Sequence, residues 1–217
     1  MTKNTITKLW PIYIGEFINP EHSEIKNGLI DFFEKYKQKN LNNRKGGSTY
    51  SSDENLYMGG YDLHLQKDKY VTKLLNFIGQ GFLAVSQDAN KTEIENYNPT
   101  SCNVTISSAW FIDYQKGGFS LPHSHPNCSW SSVYYVQIGA DANENNGTTF
   151  FQKTRPSSST TDFGSYYNKN TMKKIKPEEG KLVIWPNYLM HGSLPYTGEK
   201  NRIIVSANAL VSINENK

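Results

Sequence analysis

Arg202-Ile203-Ile204-Val205-Ser206-Ala207-Asn208-Ala209-Leu210-Val211 has two unlike faces when it is laid out as a strand. In extended chain, alternate side chains point to opposite sides. Ile203, Val205, Ala207, Ala209 and Val211 make one wholly apolar face, while Arg202, Ile204, Ser206 and Asn208 make a partly polar one. That is the pattern of a barrel strand with Arg202 turned inward, and a buried guanidinium needs an anion. A carboxylate gripped through two parallel N–H···O bonds is its natural partner.

The neighbouring segments extend this reading. Short β-type runs occur at about Asn103–Tyr114, Ser131–Ile138, Thr148–Gln152, Lys181–Pro186 and Arg202–Val211, with Gly, Asn and Pro clusters between them. They predict a mainly β fold, an antiparallel barrel or jelly roll with helices packed on one side. Within it, His123-Ser124-His125 follows the Gly117-Gly118 turn and precedes Pro126. If that segment is extended, the period of two puts both imidazoles on one face, the simplest way for a short peptide to offer two nitrogens to one metal. A third comes from His191, in the loop Trp185-Pro186-Asn187-Tyr188-Leu189-Met190-His191. A three-imidazole metal site beside one carboxylate-binding arginine is the constellation these residues offer.

The first half reads as a mixed support. Thr7–Gly15 is a candidate edge strand, confined to an edge by Pro11. Asn19-Pro20 looks like a helix start, and Ile25, Leu29, Phe33 and Tyr36 predict a helix from Pro20 to about Lys39. Asn40–Gly60 reads as loop. A second helix is expected from Lys67 to about Gln87, with Gly79 and Gly81 weakening its middle. Lys153–Pro177, rich in Ser, Thr, Asn and Lys, reads as a lid or a disordered loop.

Composition narrows the function classes. The chain has 217 residues, 36% of them apolar, which suits one domain over residues 1–217, with 1–100 supporting a β core in 101–217. A net charge of +3 gives no basic stripe, so nucleic acid is not the partner expected. No run approaches the ~20 apolar residues of a membrane span. The first residues, MTKNTITKLWPIYIG, show no secretory leader, and two cysteines, Cys102 and Cys128, fit free thiols in a cytoplasmic protein.

Several stretches together resemble the iron(II)/2-oxoglutarate-dependent oxygenases, and within them a small bacterial and phage family. They are Ala109-Trp110, Pro122-His123-Ser124-His125-Pro126, Ser132-Val133-Tyr134-Tyr135-Val136, Gly147–Phe150, Gly180–Pro186 leading to His191, and Asn201-Arg202-Ile203 with Asn208 beyond. The resemblance is strong from Asn103 to Val211 and only in outline before it. It implies a double-stranded β-helix, the cupin-like jelly roll. It also implies Fe(II) held by His123 and His191, and 2-oxoglutarate as cosubstrate with its distal carboxylate on Arg202. Tyr134, Tyr135 and Asn208 are further candidates to line the cosubstrate site, and parity cannot say which tyrosine faces inward. The implied reaction couples decarboxylation of 2-oxoglutarate to succinate and CO2 with hydroxylation of a small-molecule or peptide substrate.

The chain departs from the family pattern at one place. Most relatives carry a carboxylate where this sequence has His125, so either His125 is the third ligand or it stands behind a ligand such as Asn127 or Asp141. A His-x-His-x-x-Cys zinc site using Cys128 is a further alternative. At the level of function the alternatives are a three-histidine dioxygenase without cosubstrate and a non-catalytic jelly-roll binding module. Neither accounts for an inward arginine after the histidines. His22 and His64 read as ordinary residues, and Trp110 and Trp185 as core.

Overall fold

The structure, a computed structural model, describes residues 11–40, 55–97, 101–153, 164 and 170–214. Two antiparallel sheets form its β core. The larger has the strand order β1 (Gly15–Ile18), β8 (Lys181–Pro186), β5 (Trp130–Gln137), β10 (Arg202–Asn214), β3 (Ser101–Tyr114), β2 (Leu56–Met58). The smaller runs β4 (Ser120–His123), β9 (His191–Ser193), β6 (Thr149–Gln152), β7 (Met172–Ile175). This is the expected jelly roll.

Strand β10 sits between β5 and β3, and its two parity sets separate two cores. Ile203, Val205, Ala207 and Ala209 pack with helices α1 (His22–Lys39) and α2 (Lys69–Ala89). On the opposite face, Ile204 packs with Trp110, Val133, Tyr135, Phe151 and Ile175, between the sheets. Both sides of β5 are therefore covered, and all its residues are buried. The chain hides one face of the large sheet under helices and uses the other to build a cavity.

The helices follow from local chemistry. In α1, Ile25, Leu29 and Phe33 form the buried stripe. In α2 the stripe is Val71, Leu74, Ile78, Phe82 and Val85, and the Asp68 carboxylate caps it by accepting from the backbone N–H of Tyr70 and Val71 at 2.8 and 3.1 Å. Gly81 does not break α2 because it is where the helix meets the sheet. A Cβ there would lie 2.7 Å from Leu182 and 2.9 Å from Ile184.

Some boundaries differ from expectation. The first strand is Gly15–Ile18, paired with β8, and residues 11–14 are not strand; residues 7–10 of the expected segment lie outside the described residues. Helix α1 begins at His22 rather than Pro20 because Asn19 forms a turn first. Its Oδ1 accepts from the Glu21 N–H and its amide donates to the Tyr134 hydroxyl. The Asn40–Gly60 stretch contains strand β2, which gains its partner only from β3. A short helix α3 (Lys91–Tyr97) follows α2. Of the expected Lys153–Pro177 loop, Met172–Ile175 is strand β7, held by β6, while residues 154–163 and 165–169 lie outside the described residues. Among the described residues, no helix is long and apolar enough to cross a membrane.

Candidate metal centre

His123 ends β4 and His191 begins β9, and the two are register partners across the small sheet. Two residues past the end of β4, His125 is held against the His191 loop by a reciprocal pair of bonds. Its N–H donates to the Asn187 carbonyl at 3.1 Å, and the Asn187 amide donates to the His125 carbonyl at 3.0 Å. Asn127 then takes φ +57°, the left-handed turn that leads the chain to β5. The three rings form a triangle with centroids 5.2, 4.4 and 4.8 Å apart. One ring nitrogen from each lies within 4.8 Å of the others. That spacing suits one cation.

The Nδ1 edges decide which nitrogen a metal would meet. His123 Nδ1 is 2.7 Å from the Leu121 carbonyl, His191 Nδ1 is 2.9 Å from the Leu189 carbonyl, and His125 Nδ1 is 2.7 Å from Asn208 Oδ1. A carbonyl oxygen only accepts, so His123 and His125 donate from Nδ1 and carry their lone pairs on Nε2, whereas His191 Nδ1 lies between the Leu189 carbonyl and the Trp185 indole N–H, which donates to it at 3.1 Å. Burial lowers the pKa of all three: His125 to about 4, helped by nearby His123, and His191 well below the ordinary value. The rings are therefore neutral at pH 7, the state in which imidazole binds metal.

A cavity of about 730 Å³ opens onto these rings. Arg202, only 1% exposed, also lines it. Its guanidinium carbon lies 4.6 Å from the centre of the Tyr114 ring and 5.5 Å from that of Tyr135. None of its three nitrogens has a hydrogen-bond acceptor among the described residues. A buried cation between aromatic faces with all its donors unspent fits an anionic ligand, and a carboxylate matches its fork.

The structure divides the other sequence candidates. Tyr134 is corrected: it lies on the helix side of β5, packed in that core, where its hydroxyl meets His22 Nδ1 at 2.7 Å. The strand's pleat puts Tyr135 on the cavity side, where its hydroxyl donates to Thr149 Oγ1 at 2.8 Å. Asn208 lines the cavity but spends its carbonyl on His125. Asn127 and Asp141 are exposed, and neither they nor Cys128 join the histidine cluster. Trp110 both packs in the core and lines the cavity. Sequence reading passed over Ser108, Ser131 and Tyr61, which lie near the site. Ser108 and Ser131 share the face of Asn208 in register, a signal visible only once strands are paired.

Residues 108–208 match the family model described as "Putative 2OG-Fe(II) oxygenase". No curated protein sequence matches the chain. Among solved structures, the chain is similar to a prolyl-4-hydroxylase from Pseudomonas putida, at 14% identity over 94% of this chain and 93% of that one, TM-score 0.58. It is also similar to a viral collagen prolyl hydroxylase from Paramecium bursaria Chlorella virus 1, solved with 2-oxoglutarate, at 12% identity over 91% and 95%, TM-score 0.51. A third is HygX from Streptomyces hygroscopicus, solved with nickel, 2-oxoglutarate and hygromycin B, at 10% identity over 90% and 82%, TM-score 0.53. At such identities the likeness is one of fold. The family match, by contrast, spans both histidines of the His-x-His, the His191 loop, Arg202 and Asn208, and over that stretch the chain is similar to the 2OG-Fe(II) oxygenases.

Proposed function

We propose that the chain hydroxylates an uncharged or weakly charged peptide or small molecule, with Fe(II) held by His123, His125 and His191 and 2-oxoglutarate anchored by Arg202. The observation that carries this reading is the unpartnered Arg202 guanidinium in the same cavity as three neutral imidazoles. Bound together, iron and 2-oxoglutarate supply an oxidant for C–H bonds and release succinate and CO2. The protein's own residues hold and orient. Three Nδ1 hydrogen bonds fix the imidazoles, Arg202 sets the far end of the cosubstrate, and the buried walls of Val133, Ile204 and Trp185 keep bulk water from the centre. The mouth supports the substrate assignment. Tyr61, 56% exposed, meets Trp110 edge-on with centroids 4.9 Å apart, and Trp110 is 5.5 Å from the His125 ring. Arg202 is the only residue with a formal charge at pH 7 among the described lining residues, and the cosubstrate would neutralise it. Free Cys102 and Cys128 support a cytoplasmic setting.

Anaerobic titration with Fe(II) and then 2-oxoglutarate tests the assignment. The expected result is the visible charge-transfer band of the chelate, followed in air by slow succinate formation without added substrate. Tight iron binding without that band would instead favour a dioxygenase that needs no cosubstrate.

A further inference from the structure

Three polar side chains form one row across the cavity face of the large sheet. Asn208 on β10 is the register partner of Ser131 on β5 and of Ser108 on β3. The row is hydrogen-bonded throughout. The Asn208 amide nitrogen donates to Ser108 Oγ at 3.1 Å, the Ser131 hydroxyl donates to Asn208 Oδ1 at 3.0 Å, and His125 Nδ1 meets that same oxygen at 2.7 Å. Ser131 Oγ also lies 3.0 Å from His125 Nδ1. The β3–β10 register shifts immediately after the Asn208–Ser108 pair, leaving Ser107 as the additional residue on β3. Such irregularities re-aim side chains near binding sites.

We propose that Asn208 is a positioning residue which, with Ser131 and Ser108, turns His125 into a metal ligand. This rests on the three-histidine reading above. The physical argument concerns which way the amide faces. With its NH2 on Ser108, Asn208 presents only an acceptor to His125, so the ring proton stays on Nδ1 and Nε2 points its lone pair at the cluster. A reversed amide would force the proton onto Nε2 and block coordination. The groups around the three Nδ1 atoms include the Leu121 and Leu189 carbonyls, the Trp185 indole, the Ser131 hydroxyl and the Asn208 amide, all uncharged. Among the described residues no carboxylate joins the donor cluster. The result is a centre whose donor cluster is three imidazoles, one of them set by an amide partner.

Calorimetric titration of the metal-free full chain with Co(II), combined with the Co(II) ligand-field spectrum, provides the test. Asn208→Leu is expected to weaken Co(II) binding about 10- to 100-fold. Asn208→Asp, which can only accept at that position, should bind at least as tightly as wild type with a shifted ligand-field band. In a His125→Ala background, Asn208→Leu should cost nothing further, because its effect runs through that ring. Should the leucine variant not fold, Ser131→Ala and Asn208→Asp carry the same comparison. Wild-type affinity in Asn208→Leu, or an equal loss with and without His125, would overturn the positioning role alone. No Co(II) binding by wild type, or undiminished binding by His191→Ala, would overturn the three-histidine reading and this inference with it.

Discussion

A guanidinium that is 1% exposed and meets no protein acceptor among the described residues weakens the fold until an anion reaches it. Arg202→Met, similar in length and without charge, should therefore raise the stability of the ligand-free protein by about 1–3 kcal/mol. The same change should abolish thermal stabilisation by 2-oxoglutarate while leaving Co(II) affinity intact. Differential scanning fluorimetry with and without each ligand checks both parts. An unchanged 2-oxoglutarate shift would remove Arg202 from the cosubstrate site. At the mouth, Tyr61 is an exposed ring on a fixed backbone, since its carbonyl accepts from the Ala109 N–H at 3.2 Å and Asp62 bridges to Ala109. Tyr61→Ala should leave uncoupled succinate formation within about twofold of wild type. Loss of that activity would place Tyr61 in the cosubstrate site rather than at the substrate mouth.

Between helix α2 and strand β8, two glycines separated by one residue behave oppositely. Gly81 faces Leu182 and Ile184, both fully buried, whereas a Cβ on Gly79 would meet nothing within 4 Å. Gly81→Val should cost about 1–3 kcal/mol by overpacking that contact. Gly79→Ala should instead stabilise by up to about 1 kcal/mol through helix propensity. Urea denaturation of the two variants gives the comparison, and equal shifts would show that the close helix–sheet approach at Gly81 does not matter. The stripe of α2 was legible because the 3.6-residue period repeats over its whole length. The short strands β1, β2 and β7 were misplaced or missed because each has at most four residues and owes its conformation to a partner strand.

The helical layer is tied to the β core by an ion-pair network whose strength depends on pH. Lys26 of α1 holds the Glu179 carboxylate at 2.5 Å, and the Ile138 N–H donates to its other oxygen at 3.0 Å. Burial pushes the Glu179 pKa up, but Lys26 and the Ile138 bond outweigh it, and the net shift is downward. A carboxyl with a depressed folded pKa adds stability above its unfolded value, and that contribution is lost as pH falls through the folded value. Wild type should therefore exceed Glu179→Gln by about 1 kcal/mol at pH 7. The gap should close on acidification below the ordinary glutamate range. Chemical denaturation of both proteins at several pH values reads this directly, and a gap that persists at low pH would rule out the charge as its source.

By itself, the amino-acid sequence determined which face of β10 is apolar, that Arg202 stands on the other face, and that His123, His125 and His191 belong to the β half. Those facts follow from a strand's period of two and from local turn chemistry, which need no partner. Tertiary structure decided that Tyr134 serves the helix side and Tyr135 the cavity, because parity assigns alternate residues to two faces without saying which face is covered by helices. It also decided the role of Asn208. Cross-strand register alone sets Ser131 and Ser108 beside it, and the loop after β4 alone carries His125 within 2.7 Å of its carbonyl oxygen. Such contacts join residues far apart in the chain, and only the pairing of strands brings them together.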